Sequence, residues 1–368
     1  MKRVIISGGG TGGHIFPAIA IADEIRRQFP DVHILFVGAE GKMEMEKVPQ
    51  AGYKIIGLPI AGLQRKLTAK NLSLPFKIFK SMMMARATLK EFKPEIAIGV
   101  GGYASGPTLK MANLLNIPTV LQEQNSFAGK TNKLLGKKAE KICVAYEGME
   151  KFFPKNKIVV TGNPVRSEVA QIEGKRASAF EFYGLDPQKP TLLIIGGSLG
   201  AKTLNDSMLD GLDKLQRSGI QTLWQCGKLY YNQLSEAVRE RNMTGIKLTE
   251  FIARMDYAYA MSDVIISRAG AISVSELTLV AKPVILVPSP NVAEDHQTHN
   301  AMALVNKEAA LIVKDKDART TLIDEAIALI QNKPLQEDLS KNIAELGKPN
   351  ATADIVAEIV AICKKRNG

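Results

Sequence analysis

Along the chain, short runs of β-branched and aliphatic residues alternate with longer stretches whose apolar positions recur every three or four residues. The short runs predict strands at Val4–Ser7, His33–Val37, Ile96–Val100, Thr119–Gln122, Ile142–Ala145 and Ile158–Thr161. After a break they predict Thr191–Ile195, Gln221–Gln225, Lys247–Thr249, Val264–Ser267, Val284–Pro288 and Ala310–Val313. Stretches such as Pro17–Arg27, Phe76–Phe92, Leu204–Gln216 and Ser273–Leu279 carry their apolar residues on one helical face. Strand–helix alternation of this kind predicts an α/β chain with parallel sheets and right-handed crossovers. No apolar stretch approaches the roughly 18 residues needed to span a bilayer. The basic and apolar start, Met1–Ser7, runs into glycine too soon for the apolar core of about 7–15 residues that an export signal needs.

The 368 residues suit two domains. The expected junction is Thr161-Gly162-Asn163-Pro164, with a second soft stretch at Leu185–Pro190. Each half opens alike, with an apolar strand, a glycine cluster and a helix: Ile5-Ile6-Ser7-Gly8-Gly9-Gly10 and Leu193-Ile194-Ile195-Gly196-Gly197-Ser198. The expected organisation is a first domain over 1–163, a second over 164–350 and a C-terminal helix over 351–368, with the first domain as one place for that helix to pack. Two doubly wound domains facing across a cleft would put both glycine turns at the carboxyl ends of strands, where such sheets bind ligands.

Composition adds an electrostatic bias. Apolar residues make up 45% of the chain and charged ones 23%, enough for substantial cores and unlike a disordered polymer. Lys and Arg outnumber Asp and Glu by 48 to 37, a formal +11 that favours an anionic partner. Well over half of the excess falls between Gly62 and Pro94, where Arg65, Lys66, Lys70, Lys77, Lys80, Arg86, Lys90 and Lys93 face one acid, Glu91. Interleaved are Leu72, Leu74, Phe76, Ile78, Phe79, Met82, Met83 and Met84, a mixture suited to the interface of an anionic leaflet, although the same apolar face also serves as ordinary core. No nucleic-acid motif accompanies the charge. Cys143, Cys226 and Cys363 lie far apart, which argues against a disulfide scaffold or structural zinc and for a reducing compartment.

Three glycine-rich turns follow predicted strands: Gly8–His14, Gly99–Pro107 and Gly196–Ala201, with Pro17 read into the first turn of the helix after the first of them. Glycine lets the backbone bend tightly and lets a phosphate approach without meeting a Cβ, and the amides of the following helix hold the anion. The three together predict a phosphorylated ligand. Gly8, Gly10 and Gly13 also fit a dinucleotide-binding GxGxxG with Glu40 near the place of its ribose-binding acid, an alternative that leaves the other two turns unexplained. No Gly-Lys-Ser/Thr follows any of these strands, which disfavours a P-loop NTPase.

Gly9-Gly10-Thr11-Gly12-Gly13-His14-Ile15-Phe16-Pro17-Ala18, Gly101–Pro107 and Gly196–Ala201 resemble, in order, three glycine loops of the MurG family. These are the glycosyltransferase family 28 enzymes that carry N-acetylglucosamine onto lipid I to give lipid II in peptidoglycan synthesis. Glu123-Gln124-Asn125, Gly162–Arg166, Glu250-Phe251-Ile252, Arg268-Ala269-Gly270, Ser275-Glu276 and His296–Ala301 extend the resemblance from end to end. It implies an α/β GT-B fold, two Rossmann-like doubly wound domains, with acceptor bound by the first domain and UDP-GlcNAc by the second. It implies no cofactor, lipid I as acceptor, residence at the cytoplasmic face of the cell membrane as a peripheral protein, and other cell-wall synthesis proteins as possible partners.

The resemblance also assigns residues. His14 is expected as general base for the MurNAc hydroxyl that attacks the anomeric carbon as UDP leaves with inversion; a helix start favours the neutral imidazole. The alternative for His14 is a loop cap or an acceptor-phosphate contact. Thr11, Gly12, Gly13, Asn125 and Arg166 match donor contacts. Ser198 would hold the diphosphate, and Ile252 would offer main-chain groups to uracil. Ala271, Ile272, Ser273, Val274 and Ser275 form a helix start suited to phosphate, and Glu276 would accept the ribose hydroxyls. Gln297 matches a GlcNAc contact, with His296 where some members have a second glutamine. Gly102, Tyr103 and Ser105 are expected on the acceptor diphosphate. Asp315-Lys316-Asp317 has the DxD spacing of metal-dependent glycosyltransferases, but among Lys314 and Arg319 it reads as a solvated charge cluster, so no metal is expected. Competing functions are a transferase with another acceptor (diacylglycerol among them), a UDP-sugar epimerase, a non-catalytic nucleotide-binding module and an NAD-dependent oxidoreductase.

Overall fold

The computed structural model describes residues 1–60, 74–165 and 167–367. The chain divides into two units, Met1–Val165 with Asn350–Gly368, and Arg166–Pro349. In the first unit the order is β1 (Arg3–Ser7), α1 (Gly12–Gln28), β2 (His33–Ala39), α2 (Glu44–Gln50), β3 (Lys54–Leu58), α3 (Leu74–Phe92), β4 (Ile96–Gly99), α4 (Ser105–Leu114), β5 (Thr119–Glu123), α5 (Lys130–Gly136), β6 (Lys141–Val144) and β7 (Ile158–Val160). The second unit runs α6 (Ser167–Ala170), α7 (Arg176–Tyr183), β8 (Thr191–Ile195), α8 (Lys202–Ser218), β9 (Gln221–Gln225), α9 (Tyr231–Glu240), β10 (Ile246–Thr249), α10 (Met255–Met261), β11 (Val264–Ser267), α11 (Ala271–Val280), β12 (Val284–Leu286), α12 (His296–Val305), β13 (Leu311–Ile312), α13 (Ala318–Gln331) and α14 (Lys333–Ala344). The closing helix α15 (Ala351–Asn367) belongs to the first unit.

Both sheets are parallel throughout, and their strand orders repeat. The first is β3-β2-β1-β4-β5-β6-β7 and the second β10-β9-β8-β11-β12-β13. The strands read as continuous apolar runs because helices cover both faces. In the first unit Val4, Ile6 and Ile98 pack with Ile15, Ile21 and Ile25 of α1 and with Ile355 and Ile359 of α15. On the opposite face Ile5, Val37 and Ala97 meet Ala85 and Leu89 of α3 and Met111 of α4. The second unit closes around buried Trp224, with Leu204, Met208 and Leu212 of α8 and Leu322 and Ile323 of α13.

In each sheet the chain leaves the first strand in one direction and later returns to its other side, so β1 beside β4 and β8 beside β11 are switch points. A crevice opens at the carboxyl ends of strands at such a point. The glycine turns lie there. Helix α1 begins at Gly12 rather than at Pro17, which sits in its second turn. Thr11 is extended and ends the turn, so Gly12, Gly13 and His14 are already helical.

Candidate active site

In the first unit, the turn after β1 and the turn after β4 are pressed together. The Gly9 N–H donates to Gly101 O at 3.3 Å. A Cβ on Gly102, where φ is +87°, would lie 2.3 Å from Gly9 O, so only glycine admits this contact. Buried Glu44, at the start of α2, accepts the Gly10 N–H at 2.8 Å and the Ala39 N–H at 3.0 Å. His14 lies in the first turn of α1, with Nδ1 3.1 Å from Gly9 O and 3.3 Å from Thr11 Oγ1. A carbonyl oxygen only accepts, so Nδ1 carries the proton and Nε2 is the basic nitrogen of the neutral ring.

The turn after β5 is organised by a second buried carboxylate. Glu123 Oε1 accepts the Asn125 N–H at 3.1 Å and the Asn125 side-chain amide at 3.3 Å. Its Oε2 accepts Gly129 N–H at 3.1 Å and Asn132 Nδ2 at 2.9 Å. Beneath it Gln122 donates to Asn163, Asn163 to Gln124 O, and Gln124 to Val100 O, at 2.8, 3.0 and 2.8 Å. The ends of β4, β5 and β7 are thereby tied into one polar layer.

The second unit repeats the device. Gly200 N–H closes on Gly197 O at 2.9 Å, and Gln225 Nε2 bridges Gly197 O and Glu250 O at 2.9 and 3.2 Å. Gly200 has φ +76°, and a Cβ there would fall 1.8 Å from Cys226 O. Burial pushes the Cys226 thiol up to about 11, so it packs beneath the turn as a neutral group. Ser198 is exposed at the crest. Gly270, after the neighbouring strand β11, is the extended N-cap of α11. Glu276 lies in the second turn of α11, on the stripe of half-buried Ile272 and Ser273, and its Oε2 accepts the Tyr259 hydroxyl at 3.2 Å. Helical side chains lean toward the N-terminus, which aims this carboxylate at the helix start.

Two neighbouring loops are pinned. Ile252 is buried, and the loop around it is held where Tyr183 OH donates to Arg254 O at 3.2 Å and Arg254 pairs with Asp256 at 2.8 Å. Hydrogen bonding from Arg254, with Lys175 adding to it, holds the Asp256 carboxyl well below the usual carboxylate range. Gln297, near the start of α12, accepts the Ser289 N–H on Oε1 at 2.9 Å, which leaves its NH₂ to donate. Asn300 reaches back to Ala269 O at 3.2 Å and ties α12 to the turn before α11.

The family models decide between the readings of these turns. The first unit matches the glycosyltransferase family 28 N-terminal domain over residues 4–144, and the second matches the family's C-terminal domain over residues 191–358. The chain belongs to glycosyltransferase family 28. Among its relatives is the UDP-N-acetylglucosamine--N-acetylmuramyl-(pentapeptide) pyrophosphoryl-undecaprenol N-acetylglucosamine transferase of Parabacteroides distasonis, 55% identical over 364 residues and covering 99% of both chains. The Cytophaga hutchinsonii enzyme of the same name is 56% identical over 360 residues, 98% of this chain and 96% of that one. The crystal structure of Acinetobacter baumannii MurG superposes with TM-score 0.81 at 30% identity, covering 98% of this chain and 100% of that one. The Neisseria meningitidis UDP-GlcNAc 2-epimerase shares the fold at 15% identity, with TM-score 0.67.

Within this family 28 chain the geometry revises four sequence expectations. Ser105 does not offer its hydroxyl to a ligand: it is fully buried and faces Ser7 O and Gly101 O at 2.7 and 2.9 Å. Glu40 is exposed, and the acid at the first turn is Glu44, which occupies the Gly10 amide that a dinucleotide pyrophosphate would use. Lys316 and Asp317 are exposed, as a solvated cluster would be, but Asp315 is half-buried: it pairs with Arg268, directly after β11, and accepts the Thr203 hydroxyl at 3.0 Å. Asp315 therefore braces the second switch point despite its distance in sequence. Pro17 is inside α1. Arg166 lies outside the described residues, as do Arg65, Lys66, Lys70 and Leu72. Gly102, Tyr103, Thr11, Gly12, Gly13 and Asn125 gather at the carboxyl edge of the first sheet, and Ser198, Ile252, Ala271–Glu276 and Gln297 at that of the second. Glu44 organises the first turn yet reads in the sequence as an ordinary acid, whereas Glu123, the last residue of β5, is marked there only by the resemblance of Glu123-Gln124-Asn125, with no role assigned to it.

Proposed function

We propose that this chain transfers N-acetylglucosamine from UDP-GlcNAc to the MurNAc 4-hydroxyl of undecaprenyl-pyrophosphoryl-MurNAc-pentapeptide, lipid I, to give lipid II. The observation that supports this reading is the doubled device: each sheet ends, at its switch point, in a glycine-rich turn followed by a helix start, the backbone geometry that receives an anion. Donor and acceptor both carry a diphosphate, so the reaction needs two such cradles. An oxidoreductase or a nucleotide-binding module needs one.

In the second unit, the turn amides around Ser198, the Ser198 hydroxyl and the start of α11 (Ala271, Ile272, Ser273, with Val274 and Ser275 behind them) hold the UDP diphosphate. Glu276, steadied by Tyr259, accepts the ribose hydroxyls, Ile252 presents main-chain groups to uracil, and the Gln297 NH₂ donates to the sugar. In the first unit, Gly102 and Tyr103 hold the acceptor diphosphate and Thr11, Gly12, Gly13 and Asn125 contact the donor; Arg166, the first residue of the second unit, is assigned to the donor as well. His14 Nε2 takes the proton of the MurNAc 4-hydroxyl as its oxygen forms a bond to the anomeric carbon. The bond from that carbon to the UDP oxygen breaks, the electron pair leaves on UDP, and configuration inverts.

The test is transfer of radiolabelled GlcNAc from UDP-GlcNAc to a lipid I analogue. Labelled lipid product supports the reading; conversion of UDP-GlcNAc to an epimer with no acceptor present contradicts it. Because Asp315 is committed to Arg268 and backbone amides supply positive charge at the diphosphate, the assay should keep full activity in EDTA. Complete loss restored by magnesium would overturn the metal-free mechanism.

The acceptor's polyprenyl chain calls for a membrane surface, and α3 is suited to it. Its inner face is buried through Ser81, Ala85 and Leu89, while Phe76 and Phe79 are 71% and 64% exposed, alongside Ile78, Met83, Lys77, Lys80, Arg86 and Lys90. Among the described residues no helix is long and apolar enough to cross a membrane. We place the chain peripherally on the cytoplasmic face, with anionic lipid as its partner and other cell-wall synthesis proteins nearby. Sedimentation with vesicles rich in acidic lipid should be strong at low salt, weaker at high salt and reduced by Phe76→Ser with Phe79→Ser, since each buried Phe contributes about 1.5–3 kcal/mol. Equal binding to neutral vesicles would count against it.

A further inference from the structure

One buried charge in the first unit has no part in the mechanism above. Glu44 is 1% exposed, and its carboxylate sits beneath the first glycine turn. A Cβ on Gly9 would fall 2.2 Å from Glu44 Cδ, so the turn rests directly on this acid. Glu44 Oε2 accepts the Gly10 N–H at 2.8 Å, while His14 Nδ1–H donates to Gly9 O at 3.1 Å. Gly9 C=O and Gly10 N–H are the two ends of one planar, resonance-coupled peptide group. The carboxylate and the imidazole are thus joined through a single peptide unit.

We propose that Glu44 is a positioning residue for His14, acting through the Gly9–Gly10 peptide group. The negative charge on the N–H end polarises the group and makes Gly9 O a stronger acceptor, because hydrogen bonds in series reinforce one another at low dielectric. The stronger acceptor holds the proton on Nδ1, fixes the ring plane and leaves Nε2 as the basic nitrogen. Oε1, bonded to Ala39 N–H at 3.0 Å, anchors the acid to the end of β2, so the relay is braced by the sheet. Gln in place of Glu44 accepts one amide but turns an NH₂ toward the other, and the polarising charge is gone.

This rests on reading His14 as the base, and the experiment separates the two. Nitrogen-15 spectra of the labelled full chain at about pH 8.5, where histidines are neutral, report the tautomer of His14, assigned by its loss in His14→Gln. Wild type should show the Nδ1–H form. Glu44→Gln should shift the population toward Nε2–H and lower kcat by about tenfold with KM for UDP-GlcNAc unchanged. Glu44→Asp, which keeps the charge but draws it back from Gly10, should shift it in the same direction. An Nε2–H wild type overturns the relay, as does a folded Glu44→Gln protein with tautomer and kcat unchanged. Should His14→Ala retain turnover while Glu44→Gln moves the tautomer, the relay stands and the base assignment falls.

Discussion

Replacing His14 by alanine should lower kcat by about a hundredfold or more, a loss of roughly 3 kcal/mol of transition-state stabilisation, which is the ordinary yield of a positioned general base. On the proposed assignment the uridine, ribose and diphosphate are held by residues of the second unit, so KM for UDP-GlcNAc should change by no more than about twofold. Nδ1 is occupied by Gly9 O, so the proton can be taken only at Nε2. Steady-state transfer with a lipid I analogue measures both constants. A fall of less than about tenfold, with a lower melting temperature, would reduce His14 to a brace for its own turn.

The second large effect is on donor affinity. Glu276→Ala should raise KM for UDP-GlcNAc by about a hundredfold, roughly 3 kcal/mol, as two hydroxyls lose a charged acceptor worth about 1.5–3 kcal/mol each before solvent compensates. The stripe shared with Ile272 and Ser273 and the bond from Tyr259 aim the carboxylate before any ligand arrives, so little ordering cost offsets the gain. A donor analogue lacking the ribose 2′-hydroxyl supplies the control. It should bind the wild type more weakly, yet lose only about tenfold in the variant, because only its 3′-hydroxyl contact remains to be removed. Equal losses for both donors would mean that Glu276 acts only on the fold.

Much of this architecture is written in the chain. Parallel strands covered on both faces must be apolar throughout, and a turn with φ near +90° beneath a neighbouring backbone must be glycine. Val264–Ser267 and Gly99–Gly102 are therefore conspicuous. The edge strand Lys54–Leu58 escapes because Gly57 interrupts a run that is only partly buried, and α2 because it is short and carries Pro49. Side-chain commitments are harder to read. Ser105, Asp315 and Glu44 are ordinary polar residues whose roles are set by partners about 98, 47 and 34 positions away. One pairs with a carbonyl, one with a guanidinium and one with an amide, and no local pattern distinguishes those fates from contact with water or ligand.

Everything turns on whether diphosphate is gripped by peptide N–H groups where β8 and β11 end. Crystals of the full chain soaked with UDP-GlcNAc resolve this directly. The phosphates should sit within hydrogen-bonding reach of Ser198 and the first amides of α11, with the ribose on Glu276. Sugar nucleotide found away from both would contradict the assignment of the second unit as the donor domain.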